Sequence, residues 1–425
     1  MAVTPNSIKN RFDNLELDAN WSFEKEKSVN KWTHGYHRYP AKFLPNLVSK
    51  LIDNYTNPQD TIADLFAGCG TTLVEAKVHG RKSIGVDINP VAELITKAKI
   101  HPVSPEILNA NYDSIIAKID NYVDGLAFTS KVHERIDYWF TEDEKNKIAF
   151  LINIIDQLSC EQHIKDFFYC CLSNILKNSS RWLQSSTKPQ IDPDKDGKDS
   201  FSEFKRHYRV MEKKNREFFK VLEENGFFTT QCEIKLEDAR KTTIESKSID
   251  AIITSPPYVT SYEYADIHQL TGFWFGYIDD LPKFRKNFIG TFYSNNTGIE
   301  VPSKIANEII DAVNERHKKS AREVANYFND MYYVCLEMNR IIKDNGTICL
   351  VVGNTELRNI KIKTAEFFVE VLTNLGFKPE DLIKRAIPHK LIPTIRDKTT
   401  GKFSKVDSVN SRMVYPEEYI LIFKK

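Results

Sequence analysis

Apolar residues along this chain fall into two patterns: short continuous or alternating runs that read as strands, and longer stretches with apolar positions every three or four residues that read as amphipathic helices. The strand-like runs start at Thr61, end at Asp87 and at Asp238, cover 248–253 and 346–353, and return near 382–386 and 419–423. Helical stripes are Leu47, Val48, Leu51 and Ile52, the stretch after Thr72, a long one from about 321 to 342, and one from Thr364 that stops at Gly376. The middle of the chain is mainly helical, with core stripes Ile148, Leu151, Ile152, Ile155, Leu158 and Phe167, Phe168, Cys171, Leu172, Ile175, Leu176. Residues 1–30 are polar apart from Trp21 and Phe23 and predict a partly ordered arm. Residues 281–303 predict a loop, and 388–416 a long basic one carrying Lys390, Arg396, Lys398 and Lys402.

Composition narrows the class. The chain has 425 residues, 41% hydrophobic and 28% charged, enough for two or three globular domains. A formal net charge of +1 excludes binding of polyanions through bulk charge, so any nucleic-acid contact needs a local basic face. Seven scattered cysteines include no CxxC pair, which predicts reduced thiols rather than a zinc or redox site. There is no apolar signal core and no apolar stretch near the ~20 residues that span a bilayer. The expectation is therefore a cytoplasmic protein with no membrane association.

Candidate chemistry sits where the strands stop. The run 248–253 ends in Thr254-Ser255-Pro256-Pro257-Tyr258, and two prolines halt a strand because neither offers a ladder N–H. The resulting shelf presents a hydroxyl, carbonyls and an aromatic ring, a set suited to a flat group that carries an amine. A Pro-Pro turn after a buried strand is the plain alternative. The run from Thr61 enters Asp64-Leu65-Phe66-Ala67-Gly68-Cys69-Gly70-Thr71-Thr72, a strand, glycine turn and helix start of the kind that brings backbone close to a nucleotide-like ligand. Leu73 stands where a dinucleotide fingerprint has its third glycine, so a nicotinamide or flavin enzyme is the poorer reading. Asp87, one strand further on, is placed to accept from two ribose hydroxyls.

Other features read more plainly. His34 and His37 have no further ligand types nearby and predict a loop entering a helix rather than a metal site. Residues 192–203 fit a D-x-D-x-D-G-x5-E calcium loop, yet Pro189 and Asp199 break its surroundings, and a polar loop capped into the next helix is preferred. That helix is basic, with Lys205, Arg206, Arg209, Lys213, Lys214 and Arg216, either a solvated face or a phosphate-contacting one. Phe273, Trp274, Phe275 and Tyr277 suit base stacking or packing against the helical middle equally.

Taken together, DLFAGCGTT, Asp87 and TSPPY resemble the S-adenosylmethionine-dependent amino-methyltransferases of DNA, and HGYHRYPAKF, with Tyr39 and Pro40, resembles the block beside the methionine end of the cofactor in that family. The resemblance covers about residues 32–108 and 229–425. It implies a class I methyltransferase α/β fold: a doubly wound, mixed seven-stranded sheet with a reversed hairpin at one edge. Residues 1–108 would be an arm and the first part of the core, 109–228 a mainly helical insertion that recognises DNA, and 229–425 the catalytic part. Carried over by motif, Asp64, Phe66, Gly68, Gly70, Thr71, Thr72, Asp87 and Ile88 would hold S-adenosylmethionine, with Asp238 on its adenine amine. Ser255, Pro256, Pro257 and Tyr258 would hold the target base and promote direct transfer, with no metal. Double-stranded DNA would meet Arg181, Lys205, Arg206, Arg209, Lys213, Tyr262 and Tyr264. In the family a serine before Pro-Pro-aromatic goes mostly with the 4-amino nitrogen of cytosine, so N4-cytosine is expected, with N6-adenine the alternative. An RNA base methyltransferase and a non-catalytic nucleic-acid-binding subunit are the other classes. The family also admits a companion restriction endonuclease acting on the same site.

Overall fold

The computed structural model describes the chain except residues 1–3, 25, 27–28, 124–132, 260–262, 291–300, 388–394, 398–410 and 414–416. Tyr262 and most of the basic loop at 388–416 lie outside the described residues. Seven strands form the main sheet: β1 (Thr61–Asp64), β2 (Lys82–Asp87), β3 (Cys232–Leu236), β4 (Ile249–Thr254), β5 (Ile342–Val352), β6 (Lys378–Ala386) and β7 (Glu417–Lys424). Their order is β3-β2-β1-β4-β5-β7-β6. β7 runs antiparallel to both neighbours, and every other pairing is parallel. The expected mixed sheet with a reversed edge hairpin is thus present.

The inner strands β1, β4, β5 and β7 are buried on both faces over most of their length, and period two sorts their side chains. Ala63, Ile252, Ile348 and Leu350 point to one side, while Ile62, Ile253, Cys349 and Val351 point to the other. The main helices, in chain order, are α1 (Pro5–Asp13), α2 (Pro45–Tyr55), α3 (Thr71–Val78), α4 (Pro90–Ile100), α5 (Pro105–Asp120), α6 (Glu142–Asp156), α7 (Gln162–Ser179), α8 (Ser200–Asn225), α9 (Lys304–Arg316), α10 (Lys318–Ile341) and α11 (Thr364–Asn374). α1, α9, α10 and α11 cover the first face, and α2 covers the second with Leu47, Val48, Leu51 and Ile52. Each such fully buried aliphatic side chain contributes about 1.5–3 kcal/mol relative to exposure. The N-terminal arm is more ordered than its polarity predicts, because Thr4 and Ser7 cap α1 reciprocally and Ile8 and Phe12 are buried. α9 occupies a stretch to which the sequence pattern assigns no element, capped by Ser303 and burying Ile305, Ile309 and Val313.

Helices α5 to α8 form the inserted subdomain. Its apolar core is continuous with Val91, Ile95 and Ala98 of α4 and with Phe273 and Trp274 of the short helix Gln269–Trp274. Trp274 meets Phe140 edge-on and Phe273 stacks on His133, so packing accounts for these two aromatic residues. α8 is held by a stripe of Phe204, Tyr208, Met211, Phe218 and Leu222, starts at the Asp199 cap and stops at Gly226 in the left-handed region. In the calcium-like loop, Gly197 has φ of +90°, and a Cβ there would come within 2.2 Å of the Ser179 carbonyl oxygen. Glu203 accepts from Asn178 at 2.6 Å and pairs with Arg206 at 2.7 Å. Close backbone packing thus accounts for Gly197 of that pattern, and the contacts to Asn178 and Arg206 account for Glu203. Among the described residues, no group of three His, Cys, Asp or Glu side chains gathers as for a metal. Nor, among them, is any helix long and apolar enough to cross a membrane.

Candidate active site

Strand order reverses between β1 and β4, because the chain moves outward from β1 through β2 to β3 and returns to β4 on the other side. In an open α/β sheet such a switch leaves a crevice at the strands' carboxyl ends. Both motifs end there. Thr254 Oγ1 donates to Asp64 Oδ1 at 2.6 Å, tying the last residue of β4 to the last residue of β1, and the Phe66 N–H donates to the same oxygen at 3.1 Å. Burial pushes the Asp64 carboxyl up, opposed by these bonds.

On the β1 side the glycines are required by geometry. Gly68 and Gly70 have φ of +51° and +75°, and a Cβ on Gly70 would lie 2.7 Å from Thr96 Cγ2. Two α4 side chains hold the turn: Thr96 Oγ1 donates to the Gly68 carbonyl at 3.1 Å, and buried Lys99 donates to the Cys69 carbonyl at 2.7 Å. Thr71 and Thr72 open α3 and are buried. Asp87 closes the turn from β2, accepting from Gly68 N–H at 2.8 Å and Asn89 N–H at 2.9 Å. Its carboxyl is pushed up to about 6, chiefly by burial. Since a carboxylate offers about four acceptor positions, two remain for a ligand. Ile88 beside it is half-buried, as are Tyr39 and Pro40. The Tyr39 ring lies 3.4 Å from the place of a Gly68 Cβ and stacks on Tyr264 at 5.9 Å between centroids. Tyr264, expected to meet DNA, thus stands against Tyr39 on the β1 side of the crevice.

On the β4 side the shelf is fastened from below. Ser255 Oγ donates to the Val351 carbonyl at 2.9 Å, so its lone pairs are left to accept. Tyr327 Oη donates to the Pro257 carbonyl at 2.8 Å, whereas among the described residues nothing donates to the Pro256 carbonyl. Tyr258 Oη donates to Glu418 Oε2 at 2.8 Å, and Glu418 pairs with buried Arg385. Burial, with Glu418 close by, keeps the Tyr258 phenol protonated, far above its ordinary range. Gly353 lies against the Tyr258 ring, since a Cβ there would come within 2.7 Å of Cε2.

One expectation from the sequence differs from the structure, the strand end at Asp238. β3 ends at Leu236, two residues before Asp238, whose carboxylate accepts from three N–H groups of Arg240, the backbone one at 2.9 Å and Nη2 at 2.6 Å. Arg240 also reaches Asp330 at 2.8 Å, so about one acceptor position remains on Asp238. The basic helix α8 packs on α3 and on the segment Trp32–Gly35, along the flank of the core. Lys205 pairs with Asp120 at 3.0 Å, Arg206 with Glu203, Arg216 with Glu212, and Lys214 donates to the Asn30 carbonyl. Arg209 and Lys213 are exposed with no ion pair among the described residues. Arg181 is half-buried just beyond α7, its backbone N–H donating to the Trp139 carbonyl at 2.8 Å. His34, set aside as a ligand, is fully buried 2.6 Å from Glu75 of α3. Of the residues sequence reasoning missed, Lys99 and Thr96 had a signal: they sit four positions after Ile95 and Ala92 on an otherwise apolar helix face.

The fold and the two joined motif ends define a class I methyltransferase-like α/β protein. A family model described as DNA methylase, of the N6 and N4 type, matches residues 5–98 and 249–425, and the chain belongs to that family. It is an S-adenosylmethionine-dependent methyltransferase acting on DNA bases. Among curated proteins it is similar to the type II methyltransferase M.MvaI of Kocuria varians, at 27% identity over 92% of this chain and 91% of that one. It is also similar to the type II methyltransferase M.BsoBI of Geobacillus stearothermophilus, at 23% identity over 85% of this chain and 81% of the other.

Proposed function

We propose that the chain methylates the exocyclic N4 amine of cytosine in double-stranded DNA, with the target base turned out of the helix and the methyl group transferred in one in-line step. The observation that carries this reading is the state of Ser255: its hydrogen is spent on Val351, leaving its lone pairs beside the Pro256 carbonyl, to which nothing donates among the described residues. An exocyclic amine has two N–H bonds to give, and its lone pair is delocalised into the ring. Accepting those hydrogens at Ser255 Oγ and the Pro256 oxygen turns the lone pair out of the ring plane, toward the crevice. Tyr258, fixed by Glu418, gives the base a flat wall to stack on.

When bound, the cofactor supplies an electrophilic methyl group on sulfur. The residues present fit it. The glycine turn leaves the backbone bare, Asp87 keeps two acceptor positions for ribose hydroxyls, and Tyr39 covers the turn. Phe66 and Ile88, both half-buried near the turn, would border the cofactor, and Asp238 would offer its remaining acceptor position to the adenine amine. For DNA, Arg209 and Lys213 are the α8 cations available to phosphates, joined by Arg181 beyond α7, and residues 109–228 serve as the recognition part. A companion endonuclease acting on the same unmethylated site completes the reading.

Nucleoside mass spectrometry of duplex DNA methylated by the purified chain tests it. N4-methylcytosine is the expected product. Digests holding N6-methyladenine and no N4-methylcytosine would overturn the choice of base, and label found in RNA alone would overturn the choice of substrate.

A further inference from the structure

Asn89 and His268 form a buried pair that the proposed mechanism does not use. Asn89 caps α4: its Oδ1 accepts from the Val91 N–H at 3.0 Å, which fixes the amide with Nδ2 pointing away from the helix. Nδ2 lies 2.8 Å from His268 Nδ1. An amide nitrogen can only donate, so His268 Nδ1 is an acceptor. The ring is 5% exposed and burial pushes its imidazolium down to about 4, so at neutral pH it is uncharged and carries its hydrogen on Nε2. That Nε2 is buried and, among the described residues, has no hydrogen-bond partner. A buried donor left unmade is unfavourable, and an acceptor from outside the chain, a ligand or a water, relieves that cost.

The surroundings say which ligand brings it. The His268 ring stands 4.9 Å from that of Tyr39, which covers the Gly68 turn, and the backbone N–H of Asn89 donates to Asp87. Both partners belong to the cofactor side of the crevice. We infer that His268 Nε2–H donates to an oxygen of the bound cofactor, either a sugar hydroxyl or the amino-acid carboxylate, with Asn89 as the positioning residue that sets its tautomer. The inference rests on the assignment of the crevice as the cofactor site.

Isothermal calorimetry on the full chain tests it, with S-adenosylhomocysteine and 5′-methylthioadenosine as probes. The two substitutions His268→Asn and His268→Gln separate the roles, because an asparagine amide reaches the place of Nδ1 and a glutamine amide the place of Nε2. His268→Asn keeps a partner for Asn89 and removes the ligand donor, and is expected to weaken S-adenosylhomocysteine about 3- to 10-fold. His268→Gln is expected to restore most of that affinity. Weakening of both probes by His268→Asn assigns the acceptor to the sugar, and weakening of S-adenosylhomocysteine alone assigns it to the carboxylate. Parental binding of both probes by His268→Asn, or loss only in His268→Gln, makes the ring a buttress and overturns the inference. Asp87→Asn is the control: if it weakens binding while His268→Asn does not, the cofactor site stands without this contact. If neither weakens it, the site assignment itself falls.

Discussion

Replacing Asp87 by asparagine separates the cofactor role of this residue from its structural one. The carboxyl is pushed from 3.8 to about 6 by burial. A rise of roughly two units corresponds to a cost of about 3 kcal/mol for keeping it ionised at neutral pH. That cost is already net of the hydrogen bonds from Gly68 and Asn89, which favour the ionised form and are worth about 1 kcal/mol each. Asparagine removes the cost and keeps part of the bonding, so the cofactor-free variant should melt within a few degrees of the parent. Affinity for S-adenosylhomocysteine should move much further, because a charged acceptor is worth about 1.5–3 kcal/mol, or ~10- to 150-fold. The pH dependence has a defined sign. The raised pKa stabilises the fold below the unfolded value and this contribution is lost as pH rises through about 6, whereas ligand binding needs the ionised form and weakens as pH falls through about 6. Calorimetry between pH 5 and 8, flat for Asp87→Asn and sloping for the parent, checks it. A variant that melts far lower yet binds S-adenosylhomocysteine with parental affinity would refute the reasoning.

Ser255→Ala should leave S-adenosylhomocysteine affinity unchanged and lower kcat by about 10- to 100-fold, read from single-turnover methyl transfer, since the contact strengthens as the amine rehybridises. Charge reversal at Arg209 and Lys213 should weaken duplex binding and reduce the salt slope by about 0.9 for each phosphate no longer neutralised, whereas an unchanged slope in titrations at several salt concentrations makes that face merely solvated. Glu418→Ala leaves Arg385 buried without its carboxylate and frees the Tyr258 phenol, and should cost about 3–5 kcal/mol in denaturant unfolding.

Three strand ends were legible because they fall on residues with few conformational options: glycines at positive φ after β1, prolines after β4, and an aspartate at the end of β2. Harder to read were partners brought together by topology. Lys205 looks like a free cation in the sequence, yet Asp120 of another helix neutralises it. Asp238 looks like a free acceptor, yet Arg240 folds back onto it. Nothing in the sequence places Glu418 under Tyr258, because the contact depends on β7 pairing beside β5 across a long separation. α9 was a different case, for its apolar positions and serine cap were visible in a stretch bordered by loop-like composition.

On the proposed reading of the site, the geometry suits a transfer that forms no covalent intermediate. Methyl donor and methyl acceptor must face each other across a fixed gap, and the gap here is set by two adjacent parallel strands. Neighbouring strands lie about 4.8 Å apart, and the Asp64 to Thr254 bond locks their last residues together. The glycine turn leaves β1 and the shelf leaves β4 from that locked pair, so their separation depends on the sheet rather than on a loop. The shelf is then held from three further elements: Val351 of β5 takes the Ser255 hydrogen, Tyr327 of α10 holds Pro257, and Glu418 of β7 holds Tyr258. A base seated there meets groups already oriented, and the energy of forming the reactive arrangement is met mostly by folding. No nucleophilic side chain is needed to bridge the gap. The chain's seven cysteines are all free thiols, five of them buried, and none belongs to the shelf.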